Sequence, residues 1–249
     1  MLKRLTPLTL ILVLNSPAAP AADTAPLALE QGQWVEIAGA DSPFAAILTP
    51  QRGAKAAGAI LLIPDQESHP DRRDATGVLR ANLPEFGWTT LAITLSPAAP
   101  NGQTDADLRR IGAALAYLQQ QKATRIVVIG HGRGATLAAA YLASQPQAPV
   151  AGLVALGWYD PDDAEGNLSA ATALANFTTP VYDLYGSRDL NKATRQAAER
   201  LAAAGDANRV YRQQTVEGAD HDFTGLDHAL VQRVRGWMQV QVLRNSPLR

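Results

Sequence analysis

Apolar residues in this chain come in two arrangements. A short unbroken run over 59–63 reads as a strand buried on both faces, and the segments 125–129, 150–156 and 181–185 read as further strands. Between them apolar positions recur at helical spacing. Val78, Leu79, Leu83 and Phe86 mark a helix over 74–86, and Leu108, Ile111, Leu115 and Leu118 one over 105–121. An alanine-rich segment predicts a helix ending near Ser144. Two further helices are predicted over 189–203 and over 226–240, where Leu226, Leu230, Val234 and Trp237 share a face. Strands over 88–95 and 209–216 complete the alternation, the former ended by Pro97 and Pro100. At the start, 34–37 and 44–49 flank Gly39-Ala40-Asp41-Ser42-Pro43, a hairpin signal. Eight strands alternating with helices predict a mostly parallel sheet covered on both faces, with an antiparallel edge. Between Tyr159 and Phe177 there is room for a loop and a short helix, hence a minimal cap.

The first 22 residues follow a different pattern. Lys3 and Arg4 precede an apolar run over 5–14, too short for an ordinary bilayer span, and small residues follow from Ser16 to Ala22. This is a signal-peptide pattern with cleavage after Ala21 or Ala22, leaving one domain over 23–249 and a periplasmic destination; a retained anchor is the alternative. The remaining composition is that of an ordinary globular chain, 249 residues with 47 % apolar and a formal net charge of −1. Scattered basic residues give no nucleic-acid groove. The absence of cysteine excludes disulfides and thiolate chemistry.

The strongest strand, 125–129, runs into Gly130-His131-Gly132-Arg133-Gly134 and then the alanine-rich helix. That is the strand-turn-helix context of a nucleophile elbow, Gly-x-Ser-x-Gly, whose flanking glycines permit close backbone approach. Gly132 stands where the nucleophile belongs. A phosphate-binding turn would need Gly-x-Gly-x-x-Gly, and Gly134 comes one residue early. An acid and a histidine follow in the order of a Ser-acid-His triad. Asp189 lies just past the strand over 181–185, with helix capping as its other possible role. His221 lies in Gly218-Ala219-Asp220-His221-Asp222-Phe223, between the last strand and last helix. Asp183 is an alternative acid, though within a strand. A carboxylate on one imidazole nitrogen would leave the other facing the cleft. After the strand over 59–63, Pro64-Asp65-Gln66-Glu67-Ser68-His69-Pro70-Asp71 occupies the oxyanion region, and Asp65 and His69 are candidates to face the cleft. The N–H of Arg133 is a candidate oxyanion donor. His131 is expected to pack the strand end and His228 to be solvated. The element order and this constellation match the α/β-hydrolase fold.

The chain resembles a proteobacterial family of exported proteins of unknown function with that fold. The resemblance rests on His69-Pro70-Asp71, on Leu79-Arg80, Leu83-Pro84 and Gly87-Trp88, on the Gly130–Gly134 elbow and on the closing Gly218–Phe223 stretch. It implies that glycine at the elbow centre is a family trait, and it supplies no substrate. Arg72 and Arg73 stand where aromatic residues often follow in that family.

Two functions fit. In the first, the protein binds or scaffolds without catalysis, because loss of the triad serine costs roughly 10⁶-fold in turnover in one protease; a small-molecule or acyl ligand in the cleft is the expected partner. In the second, His221 oriented by Asp189 activates water against an ester or other acyl substrate, with His69 as a second acid-base group. A substitute hydroxyl from Thr136, Ser187, Ser68 or Ser96 is a weaker variant. Nothing in the sequence points to a cofactor, and no close histidine spacing supports a metal. An open His221 Nε2 would favour catalysis, whereas a cleft filled by side chains would favour binding.

Overall fold

The apolar runs assemble into a single eight-stranded sheet in the computed structural model, which describes residues 31–66, 68–96, 103–161, 168–175, 177–205 and 211–244. The strands are β1 (Gln33–Ile37), β2 (Phe44–Thr49), β3 (Gly58–Ile63), β4 (Trp88–Ile93), β5 (Ile126–His131), β6 (Gly152–Leu156), β7 (Val181–Gly186) and β8 (Tyr211–Val216). Their order across the sheet is β1-β2-β4-β3-β5-β6-β7-β8. β1 and β2 pair antiparallel, as do β2 and β4, and the other pairings are parallel. The helices are α1 (Ala75–Asn82), α2 (Gln103–Gln120), α3 (Arg133–Ser144), α4 (Ala170–Leu174), α5 (Asn191–Arg195), α6 (Ala197–Ala204) and α7 (Asp227–Met238). Parallel strands need crossovers, and the helices that provide them cover both faces.

Two apolar layers result. On one face Val78 and Leu79 of α1 and Leu230, Val234 and Trp237 of α7 pack against Ile60, Leu62, Val127 and Ile129. On the other, Ile111 and Leu115 of α2, the alanines of α3 and Leu174 of α4 pack against Leu61, Ile63 and Val128. Alternate residues of one strand feed opposite layers, which is why these runs are apolar without interruption.

Several boundaries differ from expectation for identifiable reasons. The helix expected over 74–86 ends at Asn82 and tightens into a 3₁₀ turn, Leu83–Phe86, because Pro84 cannot continue an α-helix. Asp74 caps α1 by accepting from the Gly77 N–H. The helix expected over 189–203 is two, α5 and α6, separated at Gln196, whose side chain accepts from the Asp160 N–H at 2.8 Å. α7 runs on into a π-helical turn, Gln239–Arg244. The short helix expected before Phe177 is α4. The signal sequence over 1–22, Pro97 and Pro100, residues 162–167 of the expected minimal cap and the start of the last strand at 209–210 lie outside the described residues. No helix among the described residues is long and apolar enough to cross a membrane.

Candidate functional site

β3 and β5 lie side by side in parallel, with Ile63 opposite Gly130. Two residues further along each strand the chain leaves the sheet, so Asp65 and Gly132 emerge as neighbours. β6 flanks β5 on the other side, with Leu156 opposite His131, which brings Gly157 beside Gly132. The loops after β7 and β8 complete the ring with Asp189 and His221. Every group of the site thus comes from the carboxyl ends of adjacent parallel strands, where this class of sheet places its sites.

The elbow keeps the backbone expected of it. Gly132 has φ 53° and ψ −118°, a strained region for any residue with a side chain, and α3 begins at the next residue. The space above it is filled. A Cβ on Gly132 would lie 2.3 Å from Cγ of Asp65, and the three nearest atoms all belong to that carboxylate. Asp65 therefore stands where a serine side chain would project.

Its two oxygens take separate positions. Oδ1 accepts from the backbone N–H of Arg133 at 2.7 Å, from the N–H of Gln66 at 2.8 Å and from the Tyr159 hydroxyl at 2.9 Å. The N–H after the elbow centre and an N–H from the loop after the third strand are the two donors of an oxyanion hole in this fold. Oδ2 accepts from His221 Nε2 at 3.0 Å, the bond a nucleophile would make. One carboxylate thus occupies both the oxyanion position and the nucleophile position.

His221 is held from both sides. Its Nδ1 donates to Asp189 Oδ1 at 2.6 Å, and Asp189 is further fixed by the N–H groups of Leu190 and Gly186. Both ring nitrogens face carboxylate oxygens, so both carry hydrogen and the ring is a cation. Burial works against that charge, but the hydrogen bonds to Asp189 and Asp65 and their negative charges outweigh it and push the pKa up to about 9. For Asp65 burial likewise opposes the charged form. The hydrogen bonds from His221, Arg133 and Gln66 win and hold its pKa at about 2. His131 stacks beneath His221, ring centroids 4.3 Å apart, and its Nε2–H donates to the His221 carbonyl at 3.0 Å. Gly157 has φ 52°, and a Cβ there would lie 2.7 Å from His221 Nδ1. Phe223, buried with φ 57°, anchors the far end of the His221 loop.

Of the residues singled out in the sequence, Asp65, Gly132, His131, Asp189 and His221 converge, together with the backbone of Arg133. The Arg133 side chain points elsewhere, with Nη2 3.3 Å from the Thr104 hydroxyl. His69 does not join them. It is exposed, its ring lies 5.5 Å from Trp34 and its Nδ1 accepts from the Asp71 N–H. The expectation that the second imidazole nitrogen faces an open cleft is also corrected, since Nε2 is engaged by Asp65. Asp189 does not cap α5, whose N-cap is Leu190. Asp183 is excluded as the triad acid because it is buried in a separate cluster with Arg200, Tyr211 and Gln213. Three of the four candidate hydroxyls are committed elsewhere: Thr136 to the Tyr159 carbonyl, Ser187 to Glu217 and Ser68 to Asp74. Tyr159, Gly157 and Gln66 were not singled out. Strand register brings Gly157 and Gln66 to the elbow, and no local sequence signal marks it.

The family model described as a protein of unknown function (DUF3530) matches residues 18–107 and 96–240. No curated protein matches the sequence. Among solved structures, Est1E from Butyrivibrio proteoclasticus is 16 % identical with a TM-score of 0.70, covering 86 % of this chain and 100 % of its own. The esterase Pf2001 from Pyrococcus furiosus is 16 % identical with a TM-score of 0.69, covering 84 % and 92 %. A serine hydrolase homologue from Coxiella burnetii is 16 % identical with a TM-score of 0.67, covering 83 % and 99 %. At such identities the likeness establishes the α/β-hydrolase fold.

Proposed function

The chain belongs to the DUF3530 family of proteins of unknown function, and we propose that it is an exported, non-catalytic α/β-hydrolase-like protein that acts in the cell envelope by binding or scaffolding. The single observation that carries this reading is the Asp65 carboxylate, which fills the nucleophile and oxyanion positions together. Serine chemistry has no oxygen to attack with. Water activation by His221 is disfavoured as well, because a ring that donates from both nitrogens has no lone pair to accept a proton. In this reading glycine at the elbow centre is a trait of the family. The leader over 1–22 directs export and is removed after Ala21 or Ala22, leaving one domain over 23–249. The esterases it resembles act through their own sites, and nothing of their substrates is carried over.

The test is a panel of ester, thioester and peptide substrates presented to the mature chain and to His221→Ala. The expected result is no turnover above buffer by either protein. Wild-type hydrolysis that vanishes in His221→Ala would overturn the reading. Mass spectrometry of the periplasmic fraction checks the leader, with the expected new N-terminus at Ala22 or Asp23.

A further inference from the structure

We propose that the machinery beneath Asp65 is an intact receptor for an anionic oxygen, and that this chain lacks only one hydroxyl and the departure of one carboxylate to hydrolyse small carboxylic esters. The inference rests on reading Asp65 as an occupant of the site and goes beyond it, because it assigns a latent activity and a ligand class to what lies underneath.

Three observations carry it. The N–H groups of Arg133 and Gln66 converge on one oxygen at 2.7 and 2.8 Å, so the donors are aimed at a common point in space. A set of donors aimed in advance at a developing charge is the costly part of an acyl-transfer site. The His221–Asp189 pair is assembled at 2.6 Å and held by backbone donors that do not depend on Asp65. The backbone of Gly132 already has the strained elbow conformation, and the three atoms nearest a side chain placed there are all those of the Asp65 carboxylate. Restoring a hydroxyl without removing that carboxylate puts two groups in one place. Removing the carboxylate also withdraws one of the two charges that hold His221 protonated, which favours its use as a base.

The chemistry balances with the groups present. The hydroxyl oxygen introduced by Gly132→Ser attacks the ester carbonyl carbon and passes its proton to His221 Nε2. The carbonyl oxygen takes the negative charge under the N–H groups of Arg133 and Gln66. The bond to the alcohol oxygen then breaks, and the alcohol leaves with the proton from Nε2. Water attacks the acyl carbon, gives a proton to Nε2 and releases the carboxylic acid as the position-132 oxygen recovers its proton.

Four proteins decide the matter: wild type, Gly132→Ser, Asp65→Ala and the two substitutions combined. The readouts are hydrolysis of p-nitrophenyl acetate and covalent labelling by a fluorophosphonate. The combined variant should label and should turn over ~10²-fold faster than either single variant, and adding His221→Ala should abolish turnover. Gly132→Ser alone matching the combined variant would overturn the role of Asp65. A folded combined variant that neither labels nor hydrolyses would overturn the receptor. If the combined variant does not fold, Asp65→Ala alone decides. Acetate should bind it, raise its Tm and shift the His221 ring resonances, with no such effect on wild type; absence of that response overturns the proposal. Wild-type turnover bears only on the proposed function, so the two readings fail separately.

Discussion

Asp65 and His221 stabilise each other through one hydrogen bond, which contributes to both titrations alongside Asp189 on the histidine and the Arg133 and Gln66 N–H groups on the carboxylate. The His221 pKa is raised from an ordinary 6.5 to about 9. Its contribution to stability is therefore fully present below pH 6.5 and lost as pH rises through about 9. Asp65 is lowered from 3.8 to about 2, so its contribution is present above pH 3.8 and lost as pH falls through about 2. Urea unfolding should show a plateau from about pH 4 to pH 6.5 and a fall between pH 6.5 and about 9 worth at most about 3 kcal/mol. A stability profile flat from pH 6 to 10 would show that the cation is not held. Replacing Asp65 by Asn keeps the shape and removes the charge, so the His221 pKa should fall, as read by NMR titration of the ring.

At the scale of elements, strand register did most to assemble the site and was the part least visible in the sequence. All eight strands were legible, the central ones because burial on both faces leaves largely apolar runs and the first two because a hairpin turn separates them. Elbow, triad acid and histidine were legible too, each sitting just past a recognisable strand. The role of Asp65 was not. It meets His221 across 156 residues, and only the pairing of Ile63 with Gly130 sets it beside the elbow. Chain order alone does not say which strands are neighbours, since β3 lies between β4 and β5. The break between α5 and α6 was hidden too; it falls at Gln196, whose side chain accepts from the N–H of the distant Asp160. Gly157, at the end of β6, offers a test of the packed ring. Gly157→Ala forces a side chain into a backbone with φ 52° and into His221. It should cost roughly 1–3 kcal/mol and disrupt the His221–Asp189 bond, seen as a lower Tm and a shifted His221 titration. An unchanged Tm would mean that the ring can move away freely.

For the molecule as a whole, two apolar layers and a buried ionic cluster away from the site hold the sheet to its helices. Arg200 of α6 and Asp183 of β7 are 1 % and 0 % exposed and pair at 2.7 Å, with Tyr211 and Gln213 of β8 adding donors to the same carboxylate. Burial and the Asp183 charge drive the Tyr211 hydroxyl far above its usual range, so it stays a donor. Asp183→Ala leaves a buried guanidinium unpaired and should destabilise by about 3–5 kcal/mol. Replacing both partners with apolar residues of similar size should cost much less, as measured by denaturant midpoints. Equal losses in the two variants would show that packing, and not the unpaired charge, is what matters.

A working enzyme carries a liability at its centre: donors left waiting, like charges kept apart, a backbone bent for a side chain that strains it. Such sites exchange stability for activity. Here the bent backbone belongs to Gly132, which bears it without a side chain, and the waiting donors are saturated by Asp65. The centre of the fold is thereby a clasp between the first and last thirds of the chain. Heat tolerance should therefore fall as esterase chemistry is put back.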